Sequence, residues 1–157
     1  MEYRRAGVLP ESAKAADVIL GVIALQKLEH CTFYGLYCHA GNSYDARAFA
    51  EVANYALKEL QALQKVAEQV RSLGEVPSLV CSFGASPTAR AIQNSAIVKD
   101  GVPSHLVPDA STEVATDLSK EITKFKDLLP QFSLEVHAGG MYSKSPFWTS
   151  APMQCIM

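Results

Sequence analysis

Residues 35–44, Gly-Leu-Tyr-Cys-His-Ala-Gly-Asn-Ser-Tyr, decide how this chain is read. An apolar run from Cys31 leads into them and a long helical pattern leads out after Asp45. Strand, small-residue turn, then helix is how α/β proteins present chemistry at the carboxyl ends of their strands. The arrangement returns at Leu79–Thr88 (LVCSFGASPT) and at Leu134–Tyr142 (LEVHAGGMY). Three such turns in one chain predict a shared ligand pocket.

Working outward, Pro10-Glu11-Ser12 reads as a helix start, with Pro in the first turn and Glu11 complementing the dipole. Ala16, Ile19, Leu20, Ile23 and Leu28 give helical spacing through about Lys27. Cys31–Tyr37 then reads as a buried strand. Asp45 is a reasonable N-cap for the next helix, and Gly74 a C-cap. Between them Phe49, Val52, Ala53, Ala56, Leu57, Leu60, Leu63, Val66, Ala67, Val70 and Leu73 hold one apolar face. Opposite lie Glu51, Lys58, Glu59, Gln61, Lys65 and Glu68, read as solvated. As one helix this would reach roughly 40 Å at about 1.5 Å per residue, so a break or an overhang is expected.

Pro77–Phe83 forms a second strand, Ala89–Val98 a helical or irregular piece, and Lys99–Pro108 a polar loop. Ser111 or Thr112 caps a further helix with Val114, Leu118, Ile122, Phe125 and Leu129 inward, stopped by Pro130. Gln131–His137 is the third strand, and the tail SKSPFWTSAPMQCIM has no periodicity. Helices alternating with strands imply about three parallel strands with helical crossovers and edges that need covering.

Composition narrows the function classes. The chain has 157 residues, 48% hydrophobic and 19% charged, at a formal charge of −2, which suits one soluble domain. No basic run offers an electrostatic case for nucleic acid or a membrane surface. No apolar stretch is long enough to span a bilayer and no signal-peptide pattern opens the chain, so a cytoplasmic location is expected. Cys31, Cys38, Cys81 and Cys155 form no Cys-x-x-Cys pair, so reduced, partly buried thiols are expected rather than a zinc site.

Gly84-Ala85-Ser86-Pro87-Thr88 has the makings of an anion site: close backbone approach at Gly84, hydroxyls from Ser86 and Thr88, and a helix start behind them. A plain strand-to-loop turn would look the same. His39 and His137 end the first and third strands, where each could stack on a flat ligand, hydrogen-bond it, bind metal, or simply be a satisfied histidine. Cys38 and His39 are neighbours on a strand, point to opposite faces, and make a poor nucleophile–base pair.

Taken in order, Arg5-Ala6-Gly7, GLYCHAGNSY (35–44), Ser82-Phe83-Gly84-Ala85-Ser86-Pro87-Thr88 and Glu135-Val136-His137-Ala138-Gly139 resemble the eukaryotic D-serine dehydratase family. That family is related to D-threonine aldolase and, more remotely, to alanine racemase, and the resemblance spans roughly Tyr3 to Tyr142. It implies a partial, alanine racemase-like (β/α)8 barrel domain over residues 1–142, followed by an irregular tail over 143–157. It also implies dependence on pyridoxal 5′-phosphate (PLP), usual dimerisation, and conversion of D-serine to pyruvate and ammonia.

Site residues follow from the resemblance. Arg5 matches the arginine that approaches the cofactor's phenolic oxygen, His39 the histidine packed against the pyridine ring, and Tyr44 a position facing cofactor and substrate. Gly84, Ala85 and Thr88 match a phosphate-side loop, and the Glu135–Gly139 turn, with His137 and Gly139, a second such segment. Ser86 stands where threonine is usual, and Gly140-Met141-Tyr142 replaces an Asn-Tyr continuation. The family's Schiff-base lysine lies upstream of the Arg-Ala-Gly motif, near which this chain begins, and the family's zinc ligands lie in a C-terminal β-domain. The expectation is therefore a segment with no catalytic lysine and no metal ligands, inactive alone. The other expectations kept open are a non-catalytic PLP- or phosphate-binding module, a module that pairs with a complete barrel, a D-threonine aldolase-like segment, and a remnant that folds poorly.

Overall fold

The computed structural model of the chain describes residues 7–73, 78–99 and 112–138. Arg5, Gly139, the Gly74 cap, the expected Lys99–Pro108 loop apart from Lys99 (which ends α3), Ser111, Cys155 and the boundary at 142/143 lie outside them. The elements run α1 (Ala13–Lys27), β1 (Gly35–Cys38), a 3₁₀ turn (Gly41–Asp45), α2 (Phe49–Ser72), β2 (Val80–Phe83), α3 (Ser86–Lys99), α4 (Thr112–Leu128) and β3 (Ser133–Val136). The strands form one parallel sheet in the order β1-β2-β3, as the alternation of helices and strands predicts.

Strand alternation divides the sheet into two unlike faces. Leu36 and Cys38, Cys81 and Phe83, Leu134 and Val136 face the helices. There they meet Leu60, Leu63, Ala67 and Val70 of α2 and Phe125 of α4, with Leu129 and Phe132 closing the end. The central strand is the most deeply covered: Leu79, Cys81 and Phe83 are all 0% exposed. Burial pushes the Cys81 thiol up to about 12, the behaviour of a structural cysteine. On the other face Tyr37, Ser82 and Glu135 stand in one register row, and neither Tyr37 nor Glu135 is covered.

Several expectations need correction. β1 starts at Gly35, not Cys31, because β2 begins only at Val80, the residue opposite Gly35. Upstream the chain turns back on α1, where the Phe33 N–H donates to the Gln26 side chain, and Cys31 is exposed rather than buried. Likewise β2 and β3 are shorter than read. Asp45 does not cap α2. It closes the 3₁₀ turn, and the helix starts four residues later behind Ala48, with Glu51 accepting the Arg47 N–H. Nor does α2 break: its 24 residues run on because Leu63, Ala67 and Val70 keep a buried stripe, and Arg71 donates to the Leu128 carbonyl at the end of α4. Glu59, read as solvated, is 3% exposed. α3 is a full helix from Ser86, where the sequence left a choice.

Among the described residues no helix is long and apolar enough to cross a membrane, and no group of three His, Cys, Asp or Glu stands close enough to hold a metal ion.

Candidate functional site

Two residues beyond the Tyr37–Ser82–Glu135 row, on the same face, come His39, Gly84 and His137 at the carboxyl edge of the sheet. The His39 Nδ1 lies 2.9 Å from the Gly84 carbonyl. A carbonyl only accepts, so Nδ1 carries the hydrogen and Nε2 points the other way round the ring. The His137 N–H donates to the Phe83 carbonyl at 3.0 Å, and its Nδ1 meets the Ser82 hydroxyl at 3.0 Å.

The two imidazoles held this way lie nearly parallel to the Tyr37 ring. Tyr37 stacks on His137 at 4.6 Å between centroids and 19° between planes. His39 lies 7° from the plane of Tyr37 and 17° from that of His137, with centroids 6.3 and 6.1 Å away. Together they make an aromatic shelf, with Tyr44 tilted at its margin. The His137 Nε2 is buried with no partner, an atom whose hydrogen-bonding capacity is unused. Burial, and then His39, push the His137 imidazole below its ordinary range, so the neutral ring is favoured.

The second turn stands beside the shelf. Gly84 has φ 127°, and a Cβ there would sit 2.6 Å from the His137 carbonyl oxygen, so only glycine lets β2 and β3 close up at this edge. Tyr44 reaches across to the start of α3, its hydroxyl 3.4 Å from the Ser86 N–H and 3.5 Å from the Ser86 hydroxyl. The Thr88 hydroxyl is engaged inside the turn. It accepts from the Ala85 N–H at 2.7 Å and donates to the Ala85 carbonyl at 3.1 Å, with Thr88 0% exposed. Ala85 caps α3 through its carbonyl, which accepts the Ala89 N–H. Replacing Thr88 by valine removes both bonds and leaves the Ala85 N–H buried without a partner, at a cost of about 1–2 kcal/mol. Urea denaturation checks this, with Thr88→Ser expected to restore most of the loss.

Of the residues singled out in the sequence, His39, Tyr44, Gly84, Ala85 and His137 come together at this edge, and Thr88 lies beneath it. Cys38 faces the helices instead, as strand alternation requires. Burial, and then the neighbouring Glu59, push its thiol up to about 11. Three contributors were missed. Tyr37 lies two residues before His39 and so on the same face. Ser82 has the same relation to Gly84. Glu59 falls at i+3 from Ala56, at the border of the apolar stripe of α2, and is buried there with it. Its Oε1 accepts the Ala40 N–H. Burial lifts the carboxyl to about 7, against the opposing pull of the Ala40 N–H, the Thr88 hydroxyl and the Gly84 N–H.

Fold and edge together define a parallel α/β layer that carries an aromatic shelf beside a helix N-terminus. Within that class the chain is similar to eukaryotic D-serine dehydratases. It is 29% identical to the D-serine dehydratase of Schizosaccharomyces pombe over 141 residues, 88% of this chain and 26% of that protein. It is 25% identical to that of Dictyostelium discoideum over 100 residues, 64% of this chain and 25% of the relative. For the D-serine dehydratase of Saccharomyces cerevisiae the identity is 27% over 96 residues, 59% and 22% of the two chains. The chain thus spans about a quarter of the length of the curated relatives it matches. No protein-family model matches it. No solved structure matches it.

Proposed function

We propose that this chain supplies one wall of the cofactor site of a cytoplasmic, PLP-dependent D-amino-acid lyase of the D-serine dehydratase type, built on part of an alanine racemase-like barrel. The observation that carries the reading is the parallel shelf of Tyr37, His39 and His137 set beside the start of α3. A flat pyridine ring suits such a shelf, and the unused His137 Nε2 marks it as a place built for a further polar contact. An anionic phosphate suits the N-terminus of α3, a helix of 14 residues, where backbone dipoles favour negative charge.

In this reading His39 packs on the ring, held at a fixed angle by the Gly84 carbonyl, and Tyr37 limits access of water from the sheet side. Tyr44 and Ser86 flank the phosphate end, with Arg5 and Gly139 as further contacts by family likeness. Bound PLP supplies an electron sink for loss of the substrate's α-proton. The lysines among the described residues all lie in helices, none on a strand or at a strand end. The amine that would anchor the cofactor is therefore assigned to a part of the site outside these elements, and so is the zinc of full-length family members. D-serine is the proposed substrate of the complete site.

The test is a titration of the purified chain with PLP, followed by absorbance. The expected result is saturable, reversible binding that borohydride does not make permanent, with no pyruvate released from D-serine. Absence of any binding overturns the wall reading, and pyruvate well above a no-protein control overturns the assignment of the lysine elsewhere. A second reading, pairing with another barrel chain, is favoured by one feature: β1 and β3 are both sheet edges among the described residues. Light scattering on a gel-filtered sample distinguishes it, since a stable assembly would be required.

A further inference from the structure

We propose that Glu59 is a positioning residue for the ligand shelf: from α2, a helix packed on β2 and α3, it holds the β1 turn and so sets the spacing between the rings and the start of α3. The proposal rests on the reading of that edge as a ligand wall.

The geometry is specific. α2 packs against β1, β2, α3 and the 3₁₀ turn, and Glu59 is the one acidic residue in its buried stripe. The Ala40 N–H that its Oε1 accepts belongs to the residue immediately after His39, so this bond fixes where the His39 backbone leaves the strand. The Thr88 hydroxyl and the Gly84 N–H, in the turn that opens α3, favour its ionised form against the larger effect of burial. Oε2 is buried and has no hydrogen-bond partner among the described residues. Glu59 thus holds the β1 turn from a helix that also packs on β2 and α3, and the two turns meet through the Tyr44–Ser86 contacts, the His39–Gly84 bond and the packing of the 3₁₀ turn on α3.

The position also couples the shelf to pH. The titratable groups that sense Glu59 from the packed elements are Cys38 and Tyr37 on β1, both held in their neutral forms through the physiological range by burial and by Glu59 itself. The β2–α3 turn contributes only dipoles. Ionisation of Glu59 therefore adds a buried negative charge to the helix packed on α3, at whose start an anionic ligand would sit. The sign follows: binding of an anion weakens as pH rises through about 7.

The experiment measures PLP affinity of the full chain from pH 5.5 to 8.5 in the wild type, Glu59→Gln and Glu59→Ala, with the imidazole NMR signals of His39 and His137 followed in parallel. Glu59→Gln keeps an acceptor for Ala40 and should retain affinity at pH 6. Comparison with wild type at each pH cancels the ligand's own ionisation, and the ratio of the two affinities should grow about tenfold in favour of the variant by pH 8.5. Glu59→Ala should weaken binding about tenfold at pH 6 and move the His39 signals. A constant ratio across pH together with unshifted His39 signals in Glu59→Ala overturns the proposal. If the wild type binds no PLP, the wall reading fails on its own, and the His39 signals still decide: displaced in Glu59→Ala supports positioning, unmoved refutes it. Should Glu59→Ala not fold, the His39 signals of Glu59→Gln above and below pH 7 decide instead: convergence with wild type only at acid pH supports the proposal, and identical signals throughout refute it.

Discussion

Gly84→Ala lowers the stability of this chain by about 3 kcal/mol or more and disassembles the shelf. Two independent costs combine. Its φ of 127° is a conformation that side chains with a Cβ rarely adopt, and the added carbon would lie 2.6 Å from the His137 carbonyl oxygen. That oxygen belongs to backbone at the end of β3, so it cannot swing aside as a side-chain tip would; strand and turn must separate instead. Separation breaks the His137 N–H bond to Phe83 and shifts the Gly84 carbonyl that orients His39. Denaturant unfolding reads the stability, and the imidazole signals of His39 and His137 read the geometry. A variant within about 0.5 kcal/mol of wild type would show that the β2–β3 edge can open freely, and the shelf would then be too loosely built to orient a ligand.

How much of this was legible beforehand depends on the distance over which each feature is determined. The order of strands and helices follows from local periodicity, and the three parallel strands came through it. The three turns at their carboxyl ends were visible as small-residue breaks, and His39, Tyr44, Gly84 and His137 do meet there. Strand alternation was enough to separate Cys38 from His39. What failed was what depends on a neighbour remote in sequence. β1 begins at Gly35 because β2 begins opposite it, and nothing within residues 31–34 reveals that limit. Asp45 is a good cap by type, but the 3₁₀ turn takes it first. Thr88 offers a hydroxyl to any anion in the abstract; in the folded turn Ala85 takes both of its bonds.

Glu59 shows the same limit most sharply, and it carries the other large expected effect. On helical geometry it lies at the border of the apolar stripe, so an acidic side chain invites the reading of a solvated face. The structure turns that border inward, because the β1 turn needs an acceptor for the Ala40 N–H and α2 is the element that reaches it. The thermodynamic consequence has a definite sign. Burial raises the carboxyl from an ordinary 4.5 to about 7, so the folded state binds its proton more tightly than the unfolded chain. The stabilisation is complete below pH 4.5 and disappears as pH rises through about 7, a difference of roughly 3 kcal/mol at most. His137 acts in the opposite sense: its lowered imidazole pKa gives stability present above the ordinary histidine range and lost as pH falls through the folded value. The wild-type profile therefore carries two opposed slopes near neutrality, and the comparison with Glu59→Gln isolates one, since His137 is common to both. Measured by urea denaturation at fixed ionic strength, the variant should gain roughly 2–3 kcal/mol relative to wild type between pH 5 and pH 8.5. A stability difference that does not change with pH would mean that Glu59 is ionised or neutral alike in both states. The carboxyl beneath the shelf would then be a passive acceptor, with no charge to place under α3.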